Sequence, residues 1–479
     1  MSQIMPEHNT ITKPLIVKSL RDAYRKEMET RVKDGSFRER EEEAMTLANE
    51  LIREYLQESL EATVEEHGVE YVRVDGEVYR MHLWGSAEYD SLVGKLKVRR
   101  PSFRKVGERN GETVIPLELS AGLMARVTPA LAQRVAMGKA DGTSRDLHRQ
   151  IVSSCRIPPS RSKLERVGNA LGAALDRRQA VVEAVCRRAE VLPEGTFSLC
   201  LGLDRTSAPM EEDLPEGTSI RPRKKLRLRK APSPVTVNYR MAFVGTVAYF
   251  DEDGEMLRSY KYGATAADGP AKILHAMMQD VRRALRQDIQ LRIIVVQDAA
   301  KEMWRHVVGA LEDEPSAKEW EELVDHYHAM GHLWAAAVAM EADTQATFDA
   351  WRAALRNDDD AIDKIATTLN QEIARGYLPA YRIAMEDELT FITNNGARMR
   401  YASLRDAGFP IGSGVTEGAC KSFFSSRCKR SGQRWRNPGL RATLTCRTLL
   451  INARLQSAIK TLRRRDYCAI VQPVGSIAA

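Results

Sequence analysis

The stretch from Glu194 to Tyr327 does most to limit what this chain can fold into, because its apolar period changes along the way. Phe197, Leu199, Leu201 and Leu203 alternate with Ser198, Cys200, Gly202 and Asp204. That period of two marks a strand with one apolar face and one small face, ending in a carboxylate. Val235–Phe250 reads as a long second β segment, Asp253-Gly254 as a turn, and Met256–Tyr262 as a strand that pairs back. After Gly269-Pro270 the pattern turns helical, with Ile273, Leu274, Met277, Val281 and Leu285 on one face. Leu291–Val296 is then a buried strand ending in Gln297-Asp298, a helix carries Met303, Val307 and Leu311, and Leu323–Tyr327 reads as a short fifth strand. Three strands, a helix, a strand and a helix predict an α/β core with mixed pairing.

The flanks read differently. Residues 13–66 are expected to be helical, with Ala48, Leu51, Ile52, Tyr55, Leu56, Leu60 and Val64 forming a stripe that packs on the body or on a second copy. Residues 69–118 look β-rich, with a hairpin turning at Asp75-Gly76 and a strand that stops before Pro101. Residues 119–190 turn helical. Thr143 caps one helix, Arg156-Ile-Pro-Pro-Ser breaks it, and Ser162 with Glu165 signals the capping box of the next. Helix, turn and helix, with Arg161 and Lys163 at the second start, resemble a helix-turn-helix DNA reader, although plain packing gives the same pattern. Residues 333–400 are mostly helical, Gly412-Ser-Gly414 opens a final helix carrying Glu417, and the tail from Ile470 reads as disordered.

Charge is unevenly spread over the 479 residues. Gly418–Ala479 holds thirteen Lys/Arg against one acid, Asp466, a net of +12, so the remainder carries −5 of the total +7. Arg221–Lys230 adds seven basic residues in ten. Such clusters suit a polyanion, most often nucleic acid, or form a solvated face. No run of about 18 apolar residues is present to span a membrane, and the first twenty residues lack an apolar block of signal-peptide length. Seven cysteines without paired spacing fit a reducing, cytoplasmic compartment better than a disulfide scaffold.

The strand order permits a specific chemistry. Asp204 and Asp298, at or near the ends of two strands, can converge, and Glu417 can join them from the first turn of its helix. Clustered carboxylates repel one another and call for a cation. Hard oxygen ligands suit Mg²⁺, with Mn²⁺ as a substitute. Two such ions about 4 Å apart activate a water or 3′-OH and stabilise the leaving oxygen in phosphodiester transfer. Each acid also has a plainer reading, as a strand-end cap or a charge at a helix N-terminus. His326, His328 and His332 could form a zinc pair, but neither HExxH nor nearby cysteines support one. Phosphate-loop, nucleophile-elbow and dinucleotide signatures are missing.

Several motifs together resemble a known family. Ile411–Lys421 (IGSGVTEGACK) and Lys429–Trp435 (KRSGQRW) resemble the signature around the final glutamate of bacterial insertion-sequence DDE transposases of the ISKra type. Gly202-Leu-Asp204 and Val295-Val-Gln-Asp298 resemble the two aspartate strands. Asp325-His-Tyr-His328 and the residues to Leu333 resemble the motif that follows the second aspartate in related mutator-like enzymes, and Arg398–Tyr401 also fits. The resemblance covers roughly Glu194–Arg447. It implies an α/β fold with an RNase H-like catalytic core interrupted by an all-helical insertion, preceded by helical and small β DNA-binding regions. With the residue pattern of the flanks, the expected divisions are a helical 1–66 that packs on the body or dimerises, a β-rich 67–118, a helix-turn-helix-like 119–190, core segments 191–332 and 401–469 around the insertion 333–400, and a disordered tail 470–479. By position, Asp204, Asp298 and Glu417 would hold the metals, and Asp325 and His328 would support them. Lys421, Arg427, Lys429, Arg430 and Arg434 are expected at DNA phosphates, and Trp435 either stacks on a flipped base or lies in the core. The expected partners are double-stranded DNA (terminal inverted repeats and target) and further copies of the chain. The expected setting is the bacterial cytoplasm at the nucleoid.

Overall fold

A computed structural model describes residues 14–31, 36–108, 111–214, 235–340 and 343–474. The basic run 221–230 lies outside them. The chain divides into two compact units: Met1–Arg134, Ser144–Glu165 and Arg463–Ala479 make one, Val135–Thr143 and Arg166–Leu462 the other. Among the described residues no helix is long and apolar enough to cross a membrane.

In the first unit, the segment expected as one helix is two, α1 (Pro14–Arg31) and α2 (Phe37–Glu66). A capping box that the periodicity hides starts the second: Ser36 Oγ accepts from Glu39 N, and the Glu39 carboxylate accepts from Ser36 N at 2.6 Å. The hairpin of β1 (Tyr71–Val74) and β2 (Glu77–Ser91) turns as expected, with Asp75 and Gly76 both at positive φ (50° and 85°). Its partner β3 (Gly94–Lys105) does not stop at Pro101, which pairs with Trp84 inside the ladder. The next strand, β4 (Thr113–Val114), reaches β3 only at Phe103 and Arg104. At Pro101 one side of β3 is therefore a sheet edge, where proline is tolerated. The expected disordered tail is corrected at Val471–Val474, a strand antiparallel to β1 that completes a five-stranded sheet; residues 475–479 lie outside the described residues. The strand's four residues are too few for a periodic signal; they answer the backbone groups along the free edge of β1. Leu60 and Val64 of α2 cover this sheet at Tyr89, Leu96 and Val98.

Helices α3 (Pro116–Ala121), α4 (Pro129–Asp141), α5 (Ser144–Ser153), α6 (Arg161–Arg177) and α7 (Gln179–Arg188) follow. The cap of α6 is Ser160, whose Oγ accepts from Lys163 N, and not Ser162. Seven residues join α5 to α6, against about three to four in the DNA-reading motif.

The second unit is built on β5 (Ser198–Asp213), β6 (Val235–Phe250) and β7 (Met256–Ala264), then α8 (Ala271–Gln287), β8 (Arg292–Gln297), α9 (Lys301–Glu312) and β9 (Glu321–Val324). The sheet order is β7-β6-β5-β8-β9. β5 and β6 are antiparallel, as are β6 and β7; β8 runs parallel to β5 and β9 parallel to β8. The alternation thus gives mixed pairing, but it misjudges lengths. β5 continues nine residues past Asp204, and Glu211–Asp213, read as loop, pair with Val235–Val237. Tyr327 belongs to α10 (His326–Ala339), because Asp325 caps that helix.

Neighbouring residues of β6 show how the sheet is covered. A side chain at Gly245 would meet Met277 and Ile273 of α8. Thr246, on the other face, bonds Thr416 of α15 (Gly414–Ala419) at 2.7 Å. Helices on both faces leave the first six residues of β5 wholly buried. Between β9 and α15 lie α10, α11 (Thr344–Asn357), α12 (Ala361–Ala374), α13 (Pro379–Asn395) and α14 (Tyr401–Asp406), helical as expected. The helix bearing Glu417 is not the last. A π-helical turn (Cys420–Ser425), α16 (Ser426–Cys428), α17 (Asn437–Ile451) and α18 (Leu455–Asp466) follow it.

Candidate active site

The two aspartates owe their positions to a parting of strands. β5 and β8 stay in register from Ser198–Arg292 to Leu201–Val295 and pair no further. Beyond that point Gln297 reaches across, and its Oε1 accepts from Leu203 N at 3.2 Å. The side chain thus replaces a backbone ladder bond where the strands part. Its Nε2 is buried without a hydrogen-bond partner among the described residues. Asp204 stands on one side of this gap and Asp298, one residue past β8, on the other. A cavity of about 350 Å³ opens there, lined by Asp204, Gln297, Asp298, Asp325, His328 and Glu417 among others.

Glu417 is brought in by close packing. Gly202 lies on the face of β5 that meets α15, and a Cβ there would overlap Thr416 Oγ1 and stand 3.2 Å from Thr246 Oγ1. Glycine at 202 is thus a spatial requirement of the helix carrying Glu417. Asp325, buried at 4% exposure, fixes that helix from the other end. One oxygen accepts from His328 N at 2.7 Å and the other from Ser413 N, so α10 and the turn before α15 share one carboxylate. His326 N donates to Ile411 O at 3.1 Å alongside.

Among the described residues, no three His, Cys, Asp or Glu side chains stand together as a ready set of metal ligands. Each acid has another partner. Asp204 accepts from Arg205 N (2.6 Å) and from the Cys420 thiol (3.2 Å). Glu417 pairs with Lys421 at 2.5 Å, and Asp298 Oδ1 lies 3.9 Å from His328 Nδ1. The Glu417–Lys421 pair is exposed at four-residue spacing, an interaction of about 0.3–0.5 kcal/mol that a divalent cation would outbid. Burial pushes the Asp298 carboxyl above the usual carboxylate range; His328 opposes the shift, and Asp204, Asp325 and Glu417 add to it. Carboxylates that penalise one another's charge in one cavity form a donor set that a hard cation relieves. Asp204, Asp298 and Glu417 are hard oxygen donors of the kind that suits a divalent cation such as Mg²⁺ or Mn²⁺.

The basic segment after Gly418 is mostly framework, contrary to the expectation of one phosphate-binding surface. Arg427 is 2% exposed and donates to Lys139 O at 3.2 and 3.1 Å. Arg447 donates to the carbonyls of Ser422 and Phe423 in the π-helical turn, and Arg454 bonds Glu190, Asp280 and Tyr262. Trp435 is in the core at 6% exposure, its Nε1 bonded to Cys428 O, so it does not stack on a base. Lys429 bonds Thr206 Oγ1 at 2.6 Å and Arg430 bonds Asp141 O, whereas Arg434 is exposed. In the first unit Arg161 is exposed, but Lys163 pairs with the buried Asp90 and is not free for DNA. Gln297 and Gly202 were not anticipated as site residues. Gly202 carries a signal after the fact, the one residue without a side chain on the small face that leads to Asp204.

The histidines do not form a zinc site. His326 is buried in edge-on contact with Tyr401, and His332 Nδ1 bonds Glu388 at 2.7 Å while its ring stacks on Phe391.

No protein-family model and no curated protein matches the chain. Among solved structures it is similar to a Mos1 transposase paired-end complex with left transposon end, at 14% identity over 59% of this chain and 79% of that one, with a TM-score of 0.16. A pre-cleavage Mos1 transpososome is similar at 12% identity, 58% and 78% coverage and a TM-score of 0.15. A Mos1 mariner paired-end complex with Mn is similar at 14%, 59%, 79% and 0.15. Likeness at such TM-scores supports neither a shared fold nor a shared activity.

Proposed function

We propose that this chain is a DNA transposase that cuts strands at the ends of a mobile element and joins them to a target through an RNase H-like catalytic core. The observation that carries this reading is the meeting of Asp204, Asp298 and Glu417 at one polar cavity from a central strand, its parallel neighbour and a helix that follows a helical stretch. Asp204, Asp298 and Glu417 would hold Mg²⁺ or Mn²⁺. When bound, the metal supplies an activated attacking oxygen and charge compensation at the leaving oxygen.

The chain's own residues do the arranging. Asp325 keeps Glu417 in register with α10 through its bond to Ser413 N. Gln297 keeps the two aspartates apart across the gap between β5 and β8. His328, 3.9 Å from Asp298, favours the charged form of that carboxylate. Lys421 neutralises Glu417 until a cation takes its place. The partners under this reading are the element's terminal repeats and target DNA. At least two copies of the chain would act together, because two ends must be joined, and the setting would be the bacterial cytoplasm.

The test is incubation of the purified protein, with Mg²⁺ or Mn²⁺, on DNA carrying the sequences that flank its gene, beside Glu417→Gln and Asp204→Ala. Cleavage and joining to a target plasmid by the wild type alone is the expected result. Cleavage without joining would identify a nuclease. Tight binding by all three proteins without cleavage would identify a DNA-binding protein that has relinquished the reaction.

A further inference from the structure

A second cleft in the core unit lies between α7 and α8, lined from the end of α6 to Gln287, with a volume of about 780 Å³. It belongs to the opposite side of the sheet from Glu417. Its inner wall, α8, packs at Gly245, whereas α15 packs at Gly202 and bonds Thr246. Seven Arg/Lys residues line it against two acids, Asp176 and Glu183, and both acids are taken. Asp176 pairs with Lys272, and Glu183 with Arg187 at 2.6 Å. Arg282 is bound to Glu314 at 2.7 Å. Arg177, Arg188 and Arg286 are exposed and have no ion-pair or hydrogen-bond partner among the described residues.

Each of these three arginines sits in the last turn of its helix, where a cation complements the helix dipole. That effect accounts for them one at a time, not for their sharing one concave wall. A cleft lined by one sign of charge concentrates its field and draws in a polyanion. The spread of the charges selects among polyanions. Lys272 to Arg286 covers roughly 21 Å of helix at about 1.5 Å per residue. Arg177 follows Asp176, which pairs with Lys272 in the first turn of α8, whereas Arg286 lies in the last turn of α8, so these two arginines belong to opposite ends of this length. A single phosphate or a mononucleotide needs converging donors. A duplex strand offers a phosphate about every 3.4 Å of axis, about six along the cleft.

We infer that the α7–α8 cleft binds the backbone of duplex DNA, a segment other than the one at the carboxylates. The inference rests on the proposed function, in which one DNA is joined to another and both must be held.

The experiment measures binding of a labelled 30-base-pair duplex of arbitrary sequence by the full chain across a salt series. Wild type is compared with Arg177→Gln/Arg188→Gln/Arg286→Gln, with the same three positions changed to Lys, and with Arg434→Gln. A phosphate contact is worth about 0.9 in the slope of log affinity against log salt. The Gln triple is expected to lose about two to three in slope while melting with the wild type, and the Lys triple to keep most of it. Charge reversal at Arg286 alone is expected to weaken binding in the same direction, and it serves if the triple does not fold. An unchanged slope in a folded Gln triple, with Arg434→Gln lowering it, overturns the cleft and leaves the transposase reading standing. A wild type that binds no DNA overturns both.

Discussion

Gln297 shows how much of this site rests on one side chain. A hydrogen bond lost from a buried backbone N–H costs about 1–3 kcal/mol, and Gln297 is what Leu203 N has. Gln297→Leu is therefore expected to lower unfolding free energy by about that amount and to slow metal-dependent cleavage more than the stability loss alone explains. Urea unfolding and single-turnover cleavage measured together check this, and a variant as active as wild type would remove Gln297 from the site. The acids themselves were legible, because carboxylates where apolar periods end are visible in a one-dimensional pattern. Gln297 was not, because its role depends on where two distant strands part. Arg427, expected at a phosphate, and Trp435, left open between base and core, both lie in the core for a related reason. A cation beside an aromatic reads as a nucleic-acid contact in sequence, yet here the guanidinium lies 5.1 Å over the buried ring and its donors serve a backbone carbonyl.

Elements rather than residues decide whether Glu417 reaches the cavity. The contact of β5 with α15 has no room for a methyl group at position 202, and overpacking of this kind costs about 1–3 kcal/mol. Gly202→Ala is expected to displace α15, so divalent-metal binding should weaken even where the protein stays folded. Calorimetric titration with Mn²⁺ checks this, and unchanged affinity would mean that α15 tolerates the shift. The π-helical turn after α15 is a second device at this scale. Its carbonyls at Ser422 and Phe423 are met by Arg447, and such turns are frequent at functional sites. Element type was well marked in the sequence wherever a period ran long, as in β6 and α8. Length was not: β5 outruns its alternation because β6 pairs with it along all sixteen residues, and pairing extends a strand whether or not its own pattern persists.

At the scale of the core unit, several buried arginines, among them Arg187, Arg427, Arg447 and Arg454, serve to hold the fold together. The clearest case is Asp280, fully buried between Arg187 and Arg454, each 2.8 Å away. Burial alone would raise its carboxyl; the two guanidinium groups outweigh that and hold it below the ordinary value. A folded-state value below the unfolded one, about 3.9, means the contribution is complete above that pH and is lost as pH falls through the folded value. The core unit is thus expected to lose stability steeply below about pH 4. Asp280→Asn, missing the charge between two buried cations, should be about 3–5 kcal/mol less stable at pH 7 and less sensitive to acid. Urea midpoints from pH 7 to pH 3 test both, and parallel curves for the two proteins would refute the assignment. The strand Val471–Val474 carries a consequence of another kind, in time. Tyr71 pairs with Val474, 403 residues further along. At about 5–20 residues per second a ribosome takes roughly 20–80 s to cover that interval. Throughout it the nascent chain presents β1 as an open edge, so this sheet is finished only after the strands of the second sheet have been made.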